Sequence, residues 1–283
     1  METISFGTKN IYAALGQGTW RMGSDPSVFA QEVEVIRYGI RNNLRVIDTA
    51  AMYADGGAER VVGEAVHPHR ENVFIVTKVW PTSASYEGVI SSLRNSLERL
   101  GISYVDLFLL HWPSAQHPLK ETLRAMTAVY DNGWAKAIGV SNFNVDLLKQ
   151  AQQFLGSIPL IANQIEYSLA NRAAETTVIP YCQDHNITVM AYSPIKHVNS
   201  LAQHSAERIA LREIASKYGV TEHVIALAWV IRNPGVIAVP KTSHKDRLLS
   251  NLQALSIEVN PEDGRRLDTI FPPASGDLPV RWL

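Results

Sequence analysis

The sequence predicts a single α/β domain over residues 1–283, folded as a parallel (β/α)8 (TIM) barrel with an N-terminal β-hairpin under its floor. Three observations predict it. Eight short apolar runs alternate with longer stretches of helical periodicity. Runs such as Asp106-Leu-Phe-Leu-Leu110 are apolar at consecutive positions, as in strands covered on both faces. Polar residues stand directly after three successive runs, where a parallel barrel carries its active site.

The elements follow in chain order. Ile4–Phe6 and Ile11–Ala13 flank Gly7-Thr-Lys-Asn10 and read as a hairpin closing the barrel bottom. The strand candidates are Ala14–Gln17, Val46–Ile47, Val73–Thr77, Val105–Leu110, Ala135–Val140, Ile161–Ile165, Thr188–Ala191 and Val236–Val239. Between them, Val89, Leu93, Leu97 and Leu100 recur at three- and four-residue steps and share one helical face, with Gly101 at the C-cap position. Leu123, Met126 and Val129 repeat the pattern, and Asn132-Gly133 stops it. Residues 207–232 read as two helices split near Tyr218-Gly219. An open doubly wound sheet fits the same alternation; the barrel is the better reading.

Composition narrows the function classes. Apolar residues make up 46% of 283, enough for a large core. Lys plus Arg number 26 against 27 Asp plus Glu, a net charge of -1, which gives no electrostatic reason to expect nucleic acid or an anionic membrane as partner. The single Cys182 excludes an internal disulfide and suits a reducing compartment. The start shows no basic stretch followed by an apolar run, and no apolar segment is long enough for a membrane helix. A cytoplasmic monomer acting on a small molecule is the expectation.

Three strand-end residues carry chemistry. Val46-Ile47 runs into Asp48, Phe74-Ile-Val-Thr77 into Lys78, and Leu107–Leu110 into His111. Tyr53 lies in the loop that follows Asp48. A free phenol is a poor acid at neutral pH, and a neighbouring ammonium favours its ionised form. Asp48 would hold the Lys78 ammonium in place, and His111 would orient a substrate oxygen. Such a set delivers a proton to an oxygen becoming an alkoxide, which carbonyl reduction requires. Singly, each residue has a plainer role: Asp48 and Lys78 as a structural ion pair, Tyr53 as loop packing, His111 as a structural histidine. Their joint placement at one rim favours the chemical reading.

These residues resemble the aldo-keto reductase family. Asp48-Thr-Ala-x-x-Tyr53, Thr77-Lys78-x-Trp80, Leu109-Leu-His-Trp-Pro113 and Gly139-Val-Ser-Asn-Phe143 are similar to its signatures, and the likeness runs from about Gly16 to the helix after Pro261. The resemblance implies a catalytic tetrad of Asp48, Tyr53, Lys78 and His111, with Tyr53 as proton donor and hydride supplied by NADPH. It implies coenzyme contacts at Gly18, Thr19, Asp48, Ser141, Asn142 and Gln164, with Tyr192 stacking on the nicotinamide and Ser193 and Ile195 along the pyrophosphate. A G-x-G-x-x-G fingerprint is absent, because Arg21 stands where the third Gly would be. That suits a family which binds its coenzyme at barrel loops.

Coenzyme choice turns on Pro240-Lys241-Thr-Ser-His-Lys-Asp-Arg247, which follows the last strand and opens a helix. Lys241, Thr242, Ser243 and Arg247 resemble the family's clamp on the adenosine 2′-phosphate, and Asn251 resembles an adenine contact. Ser250 departs from the family's usual Glu, which bears on adenine affinity. Trp20, Trp80, His111 and Trp112 match substrate-lining positions and imply an aromatic, largely apolar pocket. The loop that shapes larger pockets is expected to be trimmed, with Arg281 or Trp282 folding back over the mouth. The segment Asp48–Gly63 is similar to bacterial reductases of methylglyoxal, so small aldehydes and 2-oxoaldehydes are the expected substrates.

Two other readings compete. A regulatory barrel that senses NADPH with little turnover would not need the proton donor. A metal-dependent hydrolase is raised by nine His residues and His67-Pro-His69, but that pair falls before the third strand, at the barrel bottom. No metal is expected.

Overall fold

The computed structural model describes residues 3–7, 12–273 and 278–283. Two short strands, β1 (Thr3–Ile4) and β2 (Tyr12–Ala13), pair antiparallel with Ile4 opposite Tyr12. This is the expected hairpin; its tip, residues 8–11, lies outside the described residues, as does Ile11 of the expected second strand.

Eight parallel strands follow: β3 (Gln17–Gly18), β4 (Val46–Asp48), β5 (Phe74–Val79), β6 (Leu107–Leu110), β7 (Ile138–Ser141), β8 (Leu160–Glu166), β9 (Thr188–Tyr192) and β10 (Val236–Ala238). Their spatial order is their sequence order, as right-handed βα units dictate. The seam between first and last strand is closed by backbone bonds. Gly16 N–H donates to the Ala238 carbonyl at 2.8 Å, Ala238 N–H to that of Ala14 at 3.0 Å, and Gly18 N–H to that of Pro240 at 3.0 Å. A Cβ on Gly18 would stand 2.6 Å from the Val239 carbonyl oxygen, so this seam needs glycine there.

Ten α-helices lie among the described residues: α1 (Phe29–Arg41), α2 (Gly57–Val66), α3 (Tyr86–Leu100), α4 (Leu119–Asp131), α5 (Val145–Leu155), α6 (Val178–Asp184), α7 (Ala206–Lys217), α8 (Glu222–Ile231), α9 (Lys245–Leu252) and α10 (Pro261–Ile270). The signals that predict them act locally. Ser85 caps α3 by accepting the Gly88 N–H, Gly101 ends it at φ 64°, and Val89, Leu93, Leu97 and Leu100 are its buried face. The split between α7 and α8 comes from Gly219 at φ 65° and the Thr221 N-cap. Every residue of α8 from Val224 to Ile231 is buried, so no periodicity marks a solvent face there.

Two apolar layers result. Val46, Phe74, Val76, Leu107, Leu109, Met190 and Ile237 fill the barrel, and Ile4 and Phe6 of the hairpin plug its floor. The Phe6 ring stacks on Phe74 with centroids 4.3 Å apart. The outer layer packs the opposite strand faces against the helices. With floor and interior filled, the open end lies where the strands finish.

Candidate active site

The strand ends place the four expected residues on one rim, two of them inside strands. Asp48 ends β4 and Lys78 is the penultimate residue of β5, whereas His111 follows β6 directly. The sequence reading put Asp48 and Lys78 just past their strands. β4 and β5 extend because each pairs with neighbours on both sides, with Asp48 opposite Gly18 and Val76. In-strand placement leaves these side chains little freedom.

Lys78 is 0% exposed. Its Nζ lies 2.8 Å from Asp48 Oδ1, donates to the Thr49 carbonyl at 2.7 Å, and stands 3.3 Å from Tyr53 Oη. Gln164 Nε2 donates to the same Asp48 oxygen at 2.8 Å, so the carboxylate is fixed from across the barrel. The ring centroids of Tyr53 and His111 are 5.7 Å apart. Trp20 meets the Tyr53 ring edge-on at 4.9 Å, and Trp80 meets His111 at 5.0 Å.

Burial governs the protonation of this group. It holds the Tyr53 phenol well above its ordinary value of 10.0, with the Asp48 charge adding to the effect. The expectation that the ammonium lowers this value is not met, because burial of the phenol and the Asp48 charge both act in the opposite direction. Tyr53 therefore carries its proton. Burial also lowers Lys78, against the opposing pull of Asp48. His111 lies well below its ordinary value of 6.5, from burial first and the Lys78 charge second, and its imidazole is neutral. Its Nδ1 is buried without a hydrogen-bond partner among the described residues.

A cavity of about 600 Å³ opens over these side chains, bordered by Gly18, Thr19, Asp48, Tyr53 and His111. Trp20, Trp80 and Trp112 line it. So do Asn142, Gln164, Tyr192, Ser193, Ile195 and Lys241. Asn142 adopts φ 64°, and its amide donates to the His111 carbonyl at 3.2 Å and to Ser141 Oγ at 2.9 Å. Tyr192 Oη donates to Asn142 Oδ1 at 2.9 Å. Ser141 itself is fully buried behind the wall, with its hydroxyl on the Gln164 carbonyl at 2.8 Å.

Beyond the cavity, Lys241 Nζ donates to Ser243 Oγ at 2.6 Å and Thr242 Oγ1 accepts the His244 N–H at 3.1 Å. Arg247 and Lys241 make no ion pair among the described residues. Asn251 is buried one turn on, beside Gly16, Gly18 and Thr242. This donor set fits NADPH: two cations outside any ion pair among the described residues and two hydroxyls suit a phosphate, amide side chains suit a carboxamide, and Tyr192 offers a ring to stack on.

Several residues escaped the sequence reading. Met52, Pro194 and Lys196 also line the cavity, and Lys196 directly follows Ile195, so proximity alone was a signal. Glu32 reaches the loop after β10 from α1, across a separation of 211 residues to Ser243, and nothing local marks it. The closing segment lies on the loop after β6, with Leu283 N–H donating to the Pro113 carbonyl at 3.1 Å and its carbonyl accepting from Ala115 at 2.9 Å, while neither Arg281 nor Trp282 lines the cavity. The Arg281 charge there opposes the burial that raises the Tyr192 phenol. His67 and His69 lie in a short 3-10 turn before β5, away from the cavity. No group of three or more potential metal ligands occurs among the described residues, and no helix among them is long and apolar enough to cross a membrane.

Comparison with known proteins agrees with this geometry. The family model for the Aldo/keto reductase family matches residues 14–271. Methylglyoxal reductase YeaE of Escherichia coli is 39% identical over 275 residues, covering 97% of this chain and 96% of that protein. A glyoxal reductase of Bacillus subtilis is 32% identical over 247 residues, covering 85% and 83%. The crystal structure of an aldo/keto reductase from Klebsiella pneumoniae in complex with NADP and acetate superposes with a TM-score of 0.90 at 38% identity, covering 100% of this chain and 99% of that one. The chain belongs to the aldo/keto reductase family and is an NADP-dependent oxidoreductase.

Proposed function

We propose that this single-barrel enzyme reduces small aldehydes and 2-oxoaldehydes, methylglyoxal among them, with Tyr53 as the proton donor. The observation that carries the reading is the buried chain Gln164–Asp48–Lys78–Tyr53, which ends at a protonated phenol facing a cavity between Trp20 and His111. Hydride is supplied by the nicotinamide ring of NADPH when it is bound.

The chain's own residues do the rest. Neutral His111 donates a hydrogen bond to the carbonyl oxygen and fixes its place beside Tyr53. As negative charge develops on that oxygen, the phenol releases its proton to it. The ammonium of Lys78, 3.3 Å away, stabilises the phenolate that remains. Asp48 keeps the ammonium charged and immobile, since an unpaired buried Lys would lose its proton. Asn142, Gln164 and Tyr192 position the coenzyme ring. Lys241, Thr242, Ser243 and Arg247 hold its 2′-phosphate, with Asn251 at the adenine.

Small substrates follow from the pocket. Three indoles narrow it, Met52 adds an apolar wall, and the segment ending at Leu283 lies along the loop after β6. The likeness to named methylglyoxal and glyoxal reductases supports the same class. The test is a panel of methylglyoxal, phenylglyoxal, simple aldehydes and bulky ketones, followed by NADPH absorbance with NADH in parallel. The 2-oxoaldehydes should give the highest kcat/KM. A preference for bulky ketones would refute the substrate assignment, and binding of NADPH without turnover of any carbonyl would point to a sensor.

A further inference from the structure

Glu32 is a charged side chain that the proposed reaction does not use, yet it is only 3% exposed. It sits in the first turn of α1, where unpaired helical N–H groups favour negative charge. One carboxylate oxygen accepts the Gly23 N–H at 2.7 Å. Gly23 has φ 73°, and a Cβ there would lie 2.4 Å from the Gly57 backbone, so this turn is tightly packed in place. The other oxygen accepts the Ser243 hydroxyl at 3.4 Å. That hydroxyl in turn accepts from Lys241 Nζ at 2.6 Å. The neighbouring Gln31 donates to the Ser243 carbonyl at 2.7 Å. A buried carboxylate and the Lys241 ammonium thus share one hydroxyl.

We propose that Glu32 is an internal stand-in for the coenzyme 2′-phosphate, and so a specificity-determining residue that limits how tightly NADPH is held; this rests on the clamp reading of Lys241, Ser243 and Arg247. The carboxylate accepts the Ser243 hydroxyl hydrogen bond and balances Lys241. The Lys241 charge is otherwise opposed by burial and by Arg21 and Arg247 nearby, and Glu32 acts in the stabilising direction. A phosphate monoester brings close to two negative charges at neutral pH. To bind, it must draw both the Ser243 hydroxyl and the Lys241 ammonium away from Glu32. The carboxylate cannot retreat, because Gly23 and α1 fix it, so it stays as a repulsive neighbour. NADH brings no such charge and leaves the Glu32–Ser243–Lys241 chain intact. Glu32 therefore acts on the difference between the two coenzymes. A looser grip on the phosphate also speeds release of the oxidised coenzyme, and product release is the slow step of many enzymes.

Glu32→Gln tests the proposal, since the amide keeps an acceptor for Gly23 N–H and a donor for Ser243 while removing the charge. Affinities of the full chain for NADPH, NADH, 2′,5′-ADP and 5′-ADP are read from quenching of tryptophan fluorescence. NADPH and 2′,5′-ADP should bind about three- to tenfold tighter at low salt, with the gain shrinking as ionic strength rises. NADH and 5′-ADP should be unchanged, which also reports an intact fold. Glu32→Asp keeps the charge and should bind NADPH no tighter than wild type. Unchanged or weaker NADPH binding by Glu32→Gln, or equal tightening by Glu32→Asp, overturns the proposal. Lys241→Met separates the two levels: if it weakens NADPH but not NADH while Glu32→Gln does nothing, the clamp stands and Glu32 falls. If Lys241→Met weakens both coenzymes alike, the clamp reading fails and takes the Glu32 proposal with it.

Discussion

Replacing Tyr53 by Phe isolates its proposed role as proton donor from everything else the residue does. The ring is held by the edge contact with Trp20 at 4.9 Å and by His111 at 5.7 Å, and both survive the loss of a hydroxyl. The backbone is held independently, since Tyr53 N–H donates to the Ala50 carbonyl at 3.0 Å and Ala58 N–H donates back at 3.2 Å. The hydroxyl itself makes a long contact of 3.3 Å with Lys78. Lys78 keeps its shorter bonds to Thr49 and Asp48, so the substitution costs about 1 kcal/mol of stability or less. A positioned general acid accelerates a reaction by roughly 10²–10⁴, equivalent to about 2.7–5.4 kcal/mol of barrier. The expected result is a loss of kcat in that range with NADPH affinity within about twofold of wild type. Single-turnover oxidation of bound NADPH by methylglyoxal measures the first, and fluorescence titration the second. Retention of kcat to within a few-fold would remove Tyr53 from the donor role. A parallel loss of NADPH binding would make it a scaffold residue.

The remaining predictions concern the coenzyme and pH. Arg247→Ala removes one charge-assisted contact worth about 1.5–3 kcal/mol, so KM for NADPH should rise roughly 10- to 100-fold while KM for NADH changes by less than about twofold; an equal rise in both would place Arg247 outside the clamp. His111 is held well below its ordinary value of 6.5, so the folded protein refuses a proton that the unfolded chain accepts. Its contribution to stability is complete above about pH 6.5 and is lost as pH falls below that value, by up to about 1.4 kcal/mol per pH unit. Urea unfolding at several pH values should show this slope in the wild type and a shallower one in His111→Gln; the half-buried His223, also lowered by burial, keeps part of it. An identical slope in the variant would show that His111 is not buried as a neutral ring.

The strands were legible because each carries its own signal. Consecutive apolar residues in β5 and β6 report burial on both faces, and the polar residue at or just past the strand end reports the rim. Strand boundaries were less legible: β7 begins at Ile138 and not at Ala135, because Ala135 meets Val105 only in an isolated bridge before the main ladder starts. The convergence of Asp48, Tyr53, Lys78 and His111 was legible because they lie at or just beyond the ends of three consecutive strands, so adjacency in strand order becomes adjacency in space. The direction of the Tyr53 shift could not, since it depends on how completely the pocket excludes water and on Asp48 compensating Lys78. Glu32 was invisible for a related reason. Its partner Ser243 is brought beside it only when the barrel closes last strand to first, and no local pattern encodes that seam.

The same division separates what this fold makes rigid from what it leaves adjustable. Asp48, Lys78 and Gln164 lie within strands, each pinned by a ladder and by bonds of 2.8 Å to one another. Proton transfer needs that precision, because a displacement of an ångström costs orders of magnitude in rate. Trp20, Met52 and Trp112 instead stand in loops, and Trp20 remains 47% exposed. A loop indole can be exchanged or shifted without disturbing the carboxylate and ammonium beneath it. Substitutions in these loops should therefore change which carbonyl is accepted while the pH dependence and coenzyme choice stay put. Glu32 is the exception, since it ties the turn that bears Trp20 to the loop that bears Lys241. That carboxylate joins the two loops by hydrogen bonds that involve none of Asp48, Tyr53, Lys78 or His111.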